Sequence, residues 1–302
     1  MSVVGTRWFK VAGTLAASGT LVLSTQAAAG ARPNRGLPTP LVISTTVSTA
    51  GGYTLPTKIH AGLVTFRIGA SDTDYHGIQG FYLKPGATLD QAMADINQAL
   101  SGDPVQTPLG MQGLMRDVVE IGGVVTNSYA PQEVTVPLTK GTYYFVDLNE
   151  VNNPPLTPHV HTMKVVGDFR MSIPRLPTST IDATMIDDQP RFTAPATIKH
   201  DGTFLGLVSG DEMHEITLRP TVPGVTDDYI STFYDAVVAG TPRPPSPWTG
   251  AQSGMQSISP GRWAIVHINL PPGPYALACY VPSDESGLPH AYIGMHKMIT
   301  LT

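Results

Sequence analysis

The sequence is short of cysteine, of charge and of long apolar runs, and each shortage narrows what the chain can be. Cys279 is the only cysteine among 302 residues. No internal disulfide can form, so stability must come from the core alone. Charged residues make up only 14% of the chain and the formal net charge is −5. No cluster of Lys and Arg could track a phosphate backbone, so no nucleic-acid partner is expected. The nucleophile elbow, phosphate loop, zinc-protease helix and dinucleotide fingerprint are all missing. The expectation from these absences is a chain that is not an enzyme.

One sustained apolar run exists, Val11 to Leu23, and it carries no charge. Arg7 and Lys10 precede it, and Gln26-Ala27-Ala28-Ala29-Gly30-Ala31 follows with small-residue cleavage sites after Ala29 or Ala31. This is the plan of a signal peptide over residues 1–31. The run falls short of the ~20 residues that a membrane span needs. No Arg-Arg pair points to a twin-arginine route, and no nearby Cys could take a lipid anchor. The mature protein is therefore expected outside the membrane, secreted or at the cell surface, with no span of its own. A lone thiol in an oxidising compartment is a liability unless buried or bound. Cys279 is thus the most informative single residue.

What the chain does have is glycine (30 residues), proline (28) and short runs rich in Val and Thr. That composition favours many short strands joined by turns. The chain also repeats itself. His60-Ala61-Gly62 matches His200-Asp201-Gly202, Leu83-Lys84-Pro85 matches Leu218-Arg219-Pro220, the segment Val134 to Tyr143 matches Val266 to Tyr275, and Pro158-His159 matches Pro289-His290. The offset shrinks steadily along the chain, as loop deletions in a duplicated domain would make it.

Each copy follows one plan. An early strand (Leu63 to Ile68; Thr203 to Val208) leads to a His-bearing turn and a second strand (Gly80 to Leu83; His214 to Leu218). A helix follows. Thr88 can cap Leu89 to Leu100, with Gln91 completing a capping box, and Thr226 can open a second helix carrying Ile230, Phe233, Tyr234 and Val237. Alternating strands come next, with Val134, Val136 and Leu138 in one copy and Val266, Ile268 and Leu270 in the other. A Gly-x-Tyr turn launches a further strand (Tyr143 to Leu148; Tyr275 to Val281). The plan is mainly β, a sandwich with one inserted helix in each copy. The expected domains are 38–176 and 195–302, joined by a linker at 177–194 rich in Pro, Thr and Asp.

The segment Pro272-Gly273-Pro274-Tyr275-Ala276-Leu277-Ala278-Cys279-Tyr280, then Leu288-Pro289-His290, then Gly294-Met295, resembles the end of a cupredoxin domain, the blue-copper-type Greek-key sandwich. It is also similar to the ending of secreted bacterial proteins with a Pro-Gly-x-Tyr, Cys, Pro-His, Gly-Met order. The resemblance implies one copper ion in the second copy. Its strong ligands would be His214, Cys279 and His290, and its axial ligand Met295. Two imidazoles and a thiolate with a weak thioether suit copper cycling between two oxidation states.

The departures are specific. Ten residues separate Cys279 from His290, so the loop between them must double back. The first copy has Asp147 at the position of Cys279, with His159, His161 and Met163 following, and a carboxylate cannot make a copper–thiolate bond. His76 matches His214 only loosely by spacing. The other reading of Cys279 is a small buried hydrophobe in a core strand.

Three further signals have ordinary explanations. Asp72-x-Asp74-x-His76 reads as a turn rich in Asp and Thr. Trp248, in a proline-rich loop, is expected to pin that loop to the sandwich rather than to offer a platform for a glycan or protein. Met255, Met295 and Met298 serve as well for core filling as for ligation. The functional expectation is a secreted, non-enzymatic cupredoxin-like binding protein with a protein or cell-surface partner and a copper site in the second domain. The alternatives are a copper electron-transfer or copper-holding protein, and a secreted enzyme with an unfamiliar site.

Overall fold

The computed structural model describes residues 37–127, 131–149 and 159–302. The expected export segment, 1–31, lies outside them. No helix among the described residues is long and apolar enough to cross a membrane.

The chain is mainly β. Its first half runs β1 (Leu41–Val47), β2 (Lys58–Ala70), β3 (His76–Leu83), α1 (Leu89–Ala99), α2 (Gln106–Asp117), β4 (Val118–Thr126), β5 (Gln132–Leu138), β6 (Gly141–Asp147) and β7 (His161–Arg170). The second half runs β8 (Ser179–Ile186), β9 (Gln189–Thr193), β10 (Thr197–Ile198), β11 (Thr203–Val208), β12 (His214–Pro220), α3 (Asp227–Val238), β13 (Ser253–Ile258), β14 (Trp263–His267), β15 (Gly273–Ala278), a 3-10 turn (His290–Ile293) and β16 (His296–Leu301). The stretch expected as a linker holds the β8–β9 hairpin, turned by Asp187 and Asp188 at positive φ.

The two halves use one pairing scheme. β1 lies parallel to β2 as β8 lies parallel to β11. β2 is antiparallel to β5 as β11 is to β14. β3 sits between β4 and β6 as β12 sits between β13 and β15. The start of β2 runs parallel to β7, as β10 does to β16. Two Greek-key sandwiches of cupredoxin-like plan result, as expected. At the sheet corner in β2, Gly62 passes so close to Arg170 that a Cβ would lie 2.9 Å from its carbonyl oxygen. Its counterpart Gly202 interrupts the same strand, leaving β10 and β11.

The register corrects one sequence match. Gly80 pairs with Phe145 where Leu218 pairs with Leu277, so with Tyr143 and Tyr275 as counterparts, His76 corresponds directly to His214. The Leu-basic-Pro motif sits three residues further along β3 than along β12, and matching it placed the two histidines out of step.

The halves meet through equivalent strands. β5 pairs antiparallel with β14, Val134 opposite its own counterpart Val266. β4 pairs antiparallel with β13, with Val124 opposite Met255. A residue facing its own counterpart is what a two-fold relation produces. The joint makes both sheets continuous, and one apolar core runs through both halves. β13 is buried along its whole length and β4 at all but one position.

Both expected helices form. Thr88 and Thr226 accept the backbone N–H of Gln91 and Tyr229, each at 3.2 Å. Gln91 does not close a capping box. Its amide donates to Asp95 instead, at 2.9 Å. Helix α2 was not expected, because Pro108, Gly110 and Gly113 hide it. Those glycines let it lie against α1, since a Cβ on Gly110 would meet the Ala99 nitrogen at 2.2 Å.

Candidate metal centre

Three of the four residues implied by the sequence, His214, Cys279 and His290, bring donor atoms together in the C-terminal sandwich, and Met295 is tied to them through its backbone. His214 opens β12, Cys279 follows β15, His290 opens the 3-10 turn and Met295 precedes β16. The ten-residue separation is absorbed locally. Pro282 and Pro289 bridge the neck of the loop, His290 N–H donates to the Val281 carbonyl at 3.0 Å, and Ala291 N–H donates to that of Cys279 at 2.7 Å. The loop is thus a closed excursion that returns the chain beside Cys279.

Among the described residues, His214, Cys279 and His290 form the one trio of His, Cys or carboxylate donors that converges. The two Nδ1 atoms lie 3.1 Å apart. Cys279 Sγ is 3.7 Å from Nδ1 of His214 and 3.5 Å from Nδ1 of His290. A point equidistant from all three lies about 2.0 Å from each, close to the ~2.0–2.1 Å of metal–imidazole bonds and the ~2.3 Å of metal–thiolate bonds. The three donors therefore fit one ion in their plane. Met295 is fully buried, and its backbone bonds to both ligand segments, N–H to the His290 carbonyl at 2.8 Å and carbonyl from the Cys279 N–H at 3.3 Å.

The surroundings prepare the donors. His290 Nε2–H donates to Glu212 Oε2 at 3.0 Å, which leaves Nδ1 with its lone pair facing the cluster. Glu212 is itself held by the Asp284 N–H at 3.0 Å. Burial works to raise the Glu212 carboxyl, yet the hydrogen bond and charge of His290 bring it below the usual carboxylate range. Burial, then the charge of His290, push His214 down to about 2, so its ring is neutral. Nε2 of His214 is buried without a hydrogen-bond partner among the described residues. Burial, reinforced by the negative charge of Glu215, pushes the Cys279 thiol well above its ordinary value. A metal entering the site must displace that proton.

The first half brings the equivalent positions to a different end. Asp147 stands where Cys279 does, and His76 where His214 does. His76 Nδ1–H donates to Asp147 at 2.6 Å and Nε2–H to Asp72 at 2.9 Å. Asp147 also accepts the backbone N–H of Gly77 and of Asn149, each at 3.1 Å. Burial alone would lower His76, but the two carboxylates outweigh it and raise the ring above its usual value. A protonated imidazole bridging two carboxylates occupies this position. His161 turns away to the Pro56 carbonyl at 3.3 Å, and Met163 is core.

The Asp-rich run before His76 is a turn, as expected. Asp72 accepts the Thr49 N–H at 2.8 Å and Asp74 the Thr49 hydroxyl at 2.5 Å. Trp248 pins its loop, with Arg219 stacked 4.6 Å over the ring and Phe233 edge-on. Glu212 escaped the sequence reading. An acid two residues before a candidate ligand was its only sign.

No protein-family profile matches the chain, and no curated protein matches it. Solved structures do. Auracyanin A, a blue copper protein from Chloroflexus aurantiacus, is 19% identical over 42% of this chain and 99% of its own, with a TM-score of 0.28. A multicopper oxidase is 13% identical over 87% of this chain and 88% of its own, at 0.23. The copper nitrite reductase of Nitrosomonas europaea is 12% identical over 88% and 94%, at 0.22. Two of these three proteins are enzymes, and that finding overturns the expectation of a non-enzymatic chain. The physical fault in that expectation is plain. Chemistry carried by a metal needs none of the nucleophile or phosphate motifs whose absence had suggested it.

Proposed function

We propose that the C-terminal sandwich holds a single copper ion on His214, Cys279 and His290, with Met295 as a weak axial ligand, and that the protein is exported. The observation that carries the reading is the triangle of two Nδ1 atoms and one Sγ, buried and sized for one ion. A borderline-to-soft donor set of two imidazoles and one thiolate favours copper over hard cations. When bound, copper would supply one-electron transfer. The protein's own part is to fix both rings, with Glu212 orienting His290, and to exclude water by full burial of all three donors.

Export is supported by the charged start, apolar run and small-residue sites of residues 1–31. Mass measurement of the protein recovered outside the cell tests it, with an uncleaved intracellular chain as the adverse result. The repeated pairing scheme supports descent of both halves from one unit.

The copper assignment is tested by adding copper to the purified protein. An intense visible charge-transfer band is expected, absent in Cys279→Ser. A colourless wild-type protein that retains no copper sinks the assignment.

A further inference from the structure

A cavity of about 230 Å³ lies against β12 on the face opposite His214. Successive residues of a strand point to opposite faces, so His214 looks into the sandwich and Glu215 into this cavity. One wall is the α1–α2 hairpin, apolar through Ile96, Met111 and Leu114. The other is polar and crosses the joint between the halves, with Glu120 on β4, Gln256 and Ser257 on β13, and Glu215. Among the described residues, no Lys, Arg or His lines it.

The two carboxyls are short of partners. Glu215 is 4% exposed, and among the described residues its one hydrogen-bond partner is the Tyr280 N–H, accepted by one oxygen at 2.8 Å. Glu120 is 8% exposed and contacts the Ser257 hydroxyl through Oε2 alone. Ser257 has one proton to give, and Gln79 Oε1 lies 3.0 Å away to receive it. One proton cannot serve both acceptors, and a proton on Glu120 would complete the chain. Burial agrees, pushing Glu120 up to about 7. A buried acid with no basic neighbour stays neutral until a cation arrives.

We propose that this cavity binds a small organic amine, its ammonium group against Glu120 and Glu215 and its hydrocarbon part against α1 and α2. The size suits a compact molecule, below the ~300–1,000 Å³ of pockets for drug-sized ligands. Acceptors on one wall and an apolar surface on the other match an amphipathic cation, and the absence of a basic side chain leaves the charge for the ligand to bring. The proposal does not depend on the copper assignment.

Calorimetric titration of the copper-free full chain with benzylamine and n-hexylamine tests it, with benzyl alcohol as the neutral counterpart. Saturable one-to-one binding of an amine is expected, at least about tenfold tighter than the alcohol, which is the worth of ~1.4 kcal/mol. Glu120→Gln should weaken amine binding about tenfold or more and leave the alcohol unchanged. Should that variant fail to fold, Leu100→Trp, at a half-buried lining position, should block both ligands. Equal binding of amine and alcohol overturns the proposal, as does the absence of saturable binding by either amine at millimolar concentration.

Discussion

The two halves deliver their side chains to the same points of one scaffold and build opposite things there. In the second half, His214 and Cys279 meet His290 around a space the size of an ion. In the first, His76 and Asp147 bond directly, with Asp72 on the far side of the ring. The exchange of a thiol for a carboxylate accounts for much of the difference. A thiol buried beside two imidazoles leaves a site that needs a metal to complete it. A carboxylate in that place draws a proton onto the imidazole and completes itself. Metal and imidazolium are alternative ways to put positive charge at one point in the fold.

Substitutions that move one half toward the other sharpen this comparison. The largest effect is expected from Cys279→Asp, which copies the first half into the second. It should abolish the charge-transfer band and weaken copper retention by more than the ~10–100-fold that loss of an outer partner costs, as measured by competition with a chelator. Normal copper affinity in this variant would break the comparison.

Asp147→Asn removes the closer partner of a fully buried ring. Breaking such a pair costs about 3–5 kcal/mol, and a urea melt near pH 6 should register it. A loss below ~1 kcal/mol would mean the ring is not charged there. Glu212→Gln leaves the donor trio intact and loosens only the orientation of His290. Copper affinity should fall about 10–100-fold with the visible band retained.

The pH dependence of the Asp147→Asn deficit follows from the sign of the His76 shift. The folded value is raised above the unfolded ~6.5. The stability contributed by the charged ring is therefore complete below that unfolded value and disappears as pH rises through the folded one. The gap between wild type and Asp147→Asn should narrow toward alkaline pH, as urea melts at acidic and alkaline pH would show. A gap that widens would reverse the assignment. The smallest effect concerns the caps. Thr88→Ala and Thr226→Ala remove equivalent bonds of equal length, and each should cost ~1 kcal/mol by thermal or urea unfolding.

Much of the architecture is legible locally, because a strand or helix announces itself through its own side chains. Thr88 and Thr226 cap where hydroxyls precede helical patterns, and Val134, Val136 and Leu138 alternate as a half-buried strand must. Helix α2 is not legible, since its glycines lower helix propensity and are present for close packing on α1. Strand β13 shows no alternation because it is covered on both faces.

By itself, the sequence determined the β class and the capped helices, and it pointed to the repeat and to the four residues proposed to hold copper, all properties carried by residue type and short spacing. Only the tertiary structure decided that the halves join through β4–β13 and β5–β14, that His76 stands where His214 does, and that Glu120 and Glu215 share a cavity. Those facts rest on hydrogen bonds and packing between segments far apart in the chain. A residue's pattern declares which face it buries, but its partner strand is chosen by the whole fold.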